Sequence, residues 1–564
     1  MNARLNKIYL LITASLVAFG LFLFNDVGSS SPHSDGGSHY VTGLLAYDWI
    51  HLGHLTNPIT FGTEYFKHFP YIGLLLWPPF FYFLEMVAFS MLGPTTHTSL
   101  VLVTCIFVAC GVLLGYALLK SGRSNVVAHG AVAAMLTSIL VQDAQRNVLI
   151  DGLVAFLSFA TALAFSSYVL RPTLRGAIGI SILAILAFYS KGNAMQLAFV
   201  LPLVAILMRR PQALFLRTTL LLAAICIVVT GPWLYLTAGL SGQGALYAPG
   251  IGTFLKLIKE SSDTLFWSAA LLAPFSIIGG ATVIYQFVTA KTTNRNPSAF
   301  DATCLATVTG CVFFHALLAI GNDARYMLTA LFGVVGLSVL GIEVAITHVK
   351  RLASQAKTKV IISFASAILM TGQTLINLLT PTTPAPMPMA ADVIAQTVIS
   401  ALPTENRSLL VVGNHNIETA IGPALAQREG QRRLTKTGLV IVRASRALVG
   451  GGYRNRDYIA KFNTDEQYQN EIRRLGFPIV VLGAPSSTDA WPHIAAIDRI
   501  LNSATSDYTK MSEIAFFPGQ SVTIWRLKPN LVKPIDFDEV SMSNSLRDRV
   551  SAVTTAGTLE NKKD

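Results

Sequence analysis

The chain has 564 residues, 52% of them hydrophobic and only 13% charged, with a mean hydropathy of +0.53. That is too apolar for a water-soluble protein of this length, and it indicates a polytopic membrane protein. The net charge of +12 does not mark a nucleic-acid binder, because residues 1–380 hold 21 basic and 12 acidic residues and most of that excess falls in short loops between apolar segments, where it sets orientation.

In chain order, apolar segments lie at roughly 8–24, 70–92, 98–119, 125–142, 151–170, 176–190, 193–208, 214–236, 264–290, 302–320, 325–347 and 359–379. Several are long enough to cross a hydrocarbon core about 30 Å thick. The first follows Arg4 and Lys7 and has no small-x-small cleavage site close behind it, so it reads as a retained span and not as a signal peptide. The segment 70–92, PYIGLLLWPPFFYFLEMVAFSML, contains Pro78-Pro79 and Glu85, poor features for a lipid-facing span. If it lies along the outer interface, 15 basic residues of the membrane region fall inside, and six (Lys67, Arg146, Lys191, Lys256, Lys259 and Arg325) fall outside. If it crosses, every later loop changes side and the bias reverses. The positive-inside rule selects the first arrangement: 11 spans, a cytoplasmic N-terminus and an external C-terminal region. The five cysteines (Cys105, Cys110, Cys226, Cys304 and Cys311) all lie in apolar segments, without metal-ligand or disulfide-framework spacing.

This topology sends four charged stretches to one face. They are the first loop with SPHSDGGSHY around Asp35, the turn QRNVLIDG with Arg146 and Asp151, FYSKGN with Lys191, and GNDARY with Arg325-Tyr326. Ionisable groups at membrane depth are costly and usually line a cavity or pair with one another. In the first loop the glycines after Asp35 allow a bend that would turn Asp35 back toward the membrane, with His39, Tyr40, Tyr47 and Trp49 as a cavity wall.

Beyond the proline-rich TPTTPAPMPM the composition becomes that of a soluble domain. Strand-like runs at 408–413, 438–443, 477–483 and 521–527 alternate with helical patterns at roughly 417–430, 465–475 and 491–504. VGGGYRNR (449–456) lacks the strand–GxGxxG–helix context of a phosphate loop and reads as a turn. The expected organisation is a membrane domain at 1–380, a linker at 381–389, a small external α/β domain at 390–530 and a polar tail at 531–564.

In their order along the chain these features resemble the GT-C superfamily of membrane glycosyltransferases. The likeness is closest to the bacterial relatives of protein O-mannosyltransferases and of the lipid A aminoarabinose transferase. It rests on Asp35 in the first loop, Lys67 before the proline-bearing helix, Asp151 opening a span, the Lys191-Gly192 turn and Arg325-Tyr326, and it covers about residues 5–350. The sequence departs from the family where Gly36 follows Asp35, since relatives often have Asp-Glu there, and in KHFPYIG, where they have Lys-Pro-Pro-Leu.

The resemblance implies an α-helical polytopic fold of about 11 transmembrane helices with an interfacial helix in the first external loop, plus a C-terminal soluble α/β domain. It also implies transfer of a sugar from a polyprenyl-phosphate donor to an acceptor (protein, lipid A or another glycan) at the periplasmic face of a bacterial inner membrane. Such chemistry needs a carboxylate to take the acceptor's proton and cations or a divalent metal ion to stabilise the phosphate leaving group. Asp35 and Asp151 are the candidate catalytic acids, and Lys191, Lys67 and Arg325 the candidate donor phosphate ligands. Glu64, His39, Tyr40, Arg146 and Tyr326 are candidates for the acceptor side or the cavity. His33, His39, His51, His54 and His68 lack tight metal spacing. The rival readings are a transporter or lipid flippase, a non-catalytic glycosyltransferase-like scaffold, and a polymer ligase. A transporter would favour paired repeats and midplane ions, and no such repeat is evident.

Overall fold

The computed structural model describes residues 3–52, 57–73, 75–241, 250–293, 297–318, 323–349, 355–380, 386–387, 389–433, 435, 438–449, 458–483 and 491–533. After α1 (Ala3–Phe24), the first loop folds into three shorter helices, α2 (Asp35–His51), α3 (Pro58–His68) and α4 (Phe80–Leu92). The bundle continues with α5 (Thr96–Lys120), α6 (Asn125–Leu136), α7 (Ile139–Arg146), α8 (Asp151–Leu170), α9 (Leu174–Ser190), α10 (Leu197–Leu207), α11 (Arg217–Ser241), α12 (Ile251–Ser268), α13 (Ala273–Thr293), α14 (Ala299–Leu318), α15 (Leu328–Val349) and α16 (Gln355–Leu379).

Among the described residues, eight helices are long and apolar enough to cross a bilayer. α6 and α7, bent by 53° at a short break, make a ninth as one broken span. The other two of the expected 11 segments fall on shorter apolar helices, Leu174–Ser190 and Gly192–Leu207. The backbone groups freed at the α6–α7 break are met from inside the protein, as a hydrocarbon environment demands. Gln142 Nε2 donates to Thr137 O (2.7 Å), and Asn377 Nδ2 to Ala134 O (3.2 Å).

Two segments bear on the expected topology. α4 has only 13 residues, short of the roughly 20 that a span needs. Its Glu85 is fully buried and accepts from Ser99 Oγ at 2.5 Å. The expected segment 264–290 is interrupted at 269–272. Before the break, α12 buries the stripe Leu257, Ser261, Leu265 and Ser268 and leaves Lys256, Lys259 and Asp263 exposed, so it is an amphipathic helix and not part of a span.

The C-terminal region opens with α17 (Ala390–Ala401) and builds one five-stranded sheet from β1 (Ser408–Val412), β2 (Val440–Arg443), β3 (Ile479–Gly483), β4 (Tyr508–Phe517) and β5 (Gln520–Leu527), in the order β2-β1-β3-β5-β4. β1 pairs in parallel with β2 and β3, and β5 runs antiparallel to β3 and β4. Strand β4 was not among the expected runs, because its middle, Thr509–Glu513, is polar or exposed and lacks an apolar signature. The helices are α18 (His415–Glu429), α19 (Ala444–Ala447), α20 (Asp465–Leu475) and α21 (Pro492–Asn502). Gly450 to Arg456 of the glycine-rich turn, His54 and the tail from 534 lie outside the described residues.

The two faces of this sheet are covered differently. Side chains alternate along a strand, so Leu410, Val412, Val480 and Leu482 pack with α20 and α21. Leu409, Val411, Ile479 and Val481 share one apolar core with Tyr40, Val41 and Leu44 of α2, Tyr65 of α3, and Phe69, Tyr71 and Ile72. The first loop therefore forms part of the layer that buries the C-terminal sheet.

Candidate active site

Asp35 is the first residue of α2, a position where the helix dipole favours a carboxylate. The expected bend at Gly36-Gly37 is absent, since both glycines are helical. They are small because backbone presses on them: a Cβ would lie 1.7 Å from Asn147 O at Gly36 and 2.0 Å from Thr419 O at Gly37. That close approach, and not backbone flexibility, is what requires glycine here.

Four of the candidate residues converge. Arg325 Nη2 donates to Asp35 Oδ2 at 2.5 Å. Lys191 Nζ donates to both oxygens of Asp151, at 2.9 and 3.0 Å. Arg325 Nε stands 4.0 Å from Asp151 Oδ2, which joins the two pairs. It is also 2.8 Å from Asp323 Oδ2, an ion-pair distance without hydrogen-bond alignment. Tyr326 closes the group with its ring face, 5.1 Å from Lys191 Nζ and 5.5 Å from the Arg325 guanidinium carbon. Asp151 and Lys191 are buried, whereas the Asp35 side chain keeps 22% exposure. Burial pushes the Asp35 carboxyl pKa up, but Arg325, His39 and Lys191 outweigh it and hold the group well below the usual carboxylate range.

Two histidines flank the cluster. His39, one turn after Asp35, shares a 2.8 Å hydrogen bond between Nδ1 and the Tyr82 hydroxyl and packs on Trp77. Its Nε2 is buried without a partner. Burial lowers its pKa to about 3, with the Asp35 charge opposing the shift. His315 of α14 stacks on Tyr326 (centroids 5.1 Å apart, 10° between planes), and neither of its ring nitrogens has a hydrogen-bond partner. His315 was not among the expected site residues. The available signal was a lone ionisable side chain inside an apolar run ten residues before Arg325.

Beside Arg325, a cavity of about 200 Å³ is lined by His33, Asp143, Arg146, Asn147 and Asp323, so Arg146 reaches the expected neighbourhood. Four other residues of the expected site do not. Tyr40 faces the opposite side of α2, where its hydroxyl donates to Pro94 O (2.9 Å) and its ring packs edge-on against Phe89, because helical geometry turns consecutive residues about 100° apart. Tyr47, expected beside it in the cavity wall, stacks on His51. Lys67 and Glu64 pair with each other on α3 at 3.2 Å, and neither is among the charges acting on Asp35. Among the described residues, no group of three or more His, Cys, Asp or Glu side chains gathers as a metal site. The Asp35 and Asp151 carboxylates are engaged by cationic side chains, so the donor set does not fit a metal ion held by these residues.

No family model matches the chain, and no curated protein matches it. Among solved structures, it is similar to ArnT from Cupriavidus metallidurans bound to undecaprenyl phosphate (TM-score 0.54, 12% identity, 94% of this chain and 100% of that one). The apo state of ArnT matches equally (TM-score 0.55, 12% identity, the same coverage). The archaeal oligosaccharyltransferase AglB from Archaeoglobus fulgidus, in complex with an inhibitory peptide and a dolichol-phosphate, matches with a TM-score of 0.52 at 13% identity, over 84% of this chain and 69% of that one. The chain thus has a GT-C-like fold, a polytopic helical membrane domain carrying a small α/β domain.

Proposed function

We propose that the protein is a membrane glycosyltransferase that moves a sugar from a polyprenyl-phosphate donor to an acceptor on the periplasmic face of a bacterial inner membrane. The observation that carries this reading is the linked pair of ion pairs, Asp35–Arg325 and Asp151–Lys191, with Arg325 lining a cavity. Two of the solved structures with this fold hold polyprenyl phosphates, undecaprenyl phosphate in ArnT and dolichol-phosphate in AglB. The charged groups lie at the ends of α2, α8, α9 and α15, at one pole of the bundle and not around a midplane pathway. That placement favours a transferase over a transporter.

In the chemistry proposed here, an acceptor hydroxyl attacks the anomeric carbon as its bond to the phosphate oxygen breaks. Asp35 takes the hydroxyl proton, and Lys191 and Arg325 stabilise the departing phosphate. A carboxylate paired with Arg325 is a weak base, so the resting pairing opposes this role. An arriving phosphate competes for Arg325. As the guanidinium turns toward it, Asp35 loses its strongest neutralising partner and its proton affinity rises. The same exchange frees Lys191 from Asp151, leaving Asp151 to orient the acceptor. The donor would thereby activate the base, which limits wasteful hydrolysis before the donor is bound.

The test is transfer in reconstituted vesicles from a panel of defined polyprenyl-phosphate sugars, comparing wild type with Asp35→Asn and Lys191→Ala. Transfer by the wild type that is lost in both variants supports the reading. Equal turnover in all three, or none by the wild type with any donor, overturns it.

A further inference from the structure

We infer that Thr419 of the C-terminal domain and Asn147 of the α7–α8 turn act together as positioning residues that hold Asp35 in its working orientation. This rests on the reading of Asp35 as the carboxylate that activates the acceptor. The evidence lies in the two residues on either side of it. Ser34, immediately before Asp35, has φ +53° and ψ −132°, a backbone state that L residues rarely adopt and that surrounding structure must enforce. Two hydrogen bonds enforce it. The Ser34 N–H donates to Thr419 Oγ1 (2.6 Å), and the His33 N–H donates to Asn147 Oδ1 (2.7 Å). The same two residues close the other side, since their carbonyl oxygens occupy the space a Cβ would take at Gly37 and Gly36.

Asp35 therefore sits between two clamps, one from each part of the protein. The Thr419 hydroxyl is fully buried and fully used: it accepts from Ser34 and donates to His415 O (2.5 Å). Asn147 is followed by Val148 at φ +48°, a second left-handed residue on the membrane-domain side of the clamp. Behind them, the bidentate Arg433–Asp48 pair, both bonds 2.7 Å, ties the far end of α2 to the C-terminal domain. The helix carrying the carboxylate is thus fixed at both ends by a domain whose sequence carries none of the expected site residues. A shift of a few tenths of an ångström at Ser34 swings the Asp35 carboxylate relative to Arg325, and proton transfer is sensitive to displacements of that size.

The test uses the full-length chain in vesicles and four variants. Thr419→Val keeps the shape and removes the acceptor, while Thr419→Ser keeps the hydroxyl. Asn147→Leu removes the acceptor and Asn147→Asp retains one. Expected for Thr419→Val and Asn147→Leu are a fall in kcat of at least tenfold, donor KM within about twofold of wild type, a displaced acid limb of the pH–rate profile, and faster amide exchange in a peptide covering 31–40. Thr419→Ser and Asn147→Asp should restore all four readouts. Wild-type kcat and exchange in Thr419→Val, or losses in it that follow the melting temperature alone and are not restored by serine, would overturn the clamp. Asp35→Asn separates the two ideas. If it retains full turnover while exchange at 31–40 still rises in Thr419→Val, the clamp on the backbone stands and the catalytic reading of Asp35 falls.

Discussion

Among the described residues, two charge clusters of three or more groups join distant helices, and they differ in kind. One links Arg123, after α5, to Asp301 of α14 and Glu343 of α15, with Nη2 at 3.0 and 3.2 Å from the two carboxylates. Asp301 also accepts from Ser298 Oγ at 2.6 Å, and its own N–H is capped by that hydroxyl, so the group completes a helix start. The other cluster, around Asp35, Asp151, Lys191 and Arg325, joins four segments, meets a cavity through Arg325 and has at its edge His39, with Nε2 unpartnered, and His315, with neither ring nitrogen partnered. Burial and pairing of charge are common to both, so neither identifies a site. In the second a cation, Arg325, itself lines a cavity, whereas the cavity of about 420 Å³ beside the first is lined by Ser298 and Phe300 and by none of that cluster's charged groups.

Variants can break or sharpen this contrast. The largest effect is expected for Asp35→Asn, a loss of turnover of about 10³-fold with the protein still folded, because general-base catalysis is typically of that order. It is checked by initial rates of transfer. Lys191→Met should lower kcat by about 10²-fold through loss of charge stabilisation at the leaving group, measured in the same assay. Arg123→Leu should act oppositely, leaving the turnover of the folded fraction near wild type and costing about 3 kcal/mol of stability, since it strands a buried carboxylate. Thermal unfolding in detergent reads that cost. A large kcat loss in Arg123→Leu at unchanged stability would erase the distinction between the clusters.

Two smaller effects concern α2. His39 is held neutral by burial, with its pKa near 3 against an ordinary 6.5. The unfolded chain therefore binds a proton that the folded one refuses. His39 costs nothing above pH 6.5 and destabilises progressively as pH falls from there toward 3. His39→Phe should flatten that part of the stability–pH curve, as followed by melting temperature across buffers. Ser34→Gly should raise stability by about 1 kcal/mol by removing the strain of a positive φ, again read by thermal unfolding.

Much of the candidate cluster is legible in the chain because ionisable residues in apolar surroundings are few. Asp35, Asp151, Lys191, Arg325 and Tyr326 stood out by depth and spacing, and the fold brings them within a few ångströms of one another. Tyr40, Glu64 and Lys67 lie near Asp35 or the proline-bearing segment in sequence only. Helical geometry turns Tyr40 away, and α3 pairs the other two with each other. α2 is a helix where the chain suggests a bend, since Gly36-Gly37 signals flexibility when read alone.

The sequence by itself determined which stretches are apolar enough for a membrane and which charges are too expensive to be there without a role. Those are local properties, set by transfer free energies residue by residue. Only the tertiary structure decided that Gly36 and Gly37 are contact points for backbone, that Thr419, nearly 400 residues downstream, meets Ser34, and that His315 lies under Tyr326. Each of those depends on how separated segments pack, and a hydrogen bond across |i−j| = 385 leaves no periodicity in the chain from which to infer it.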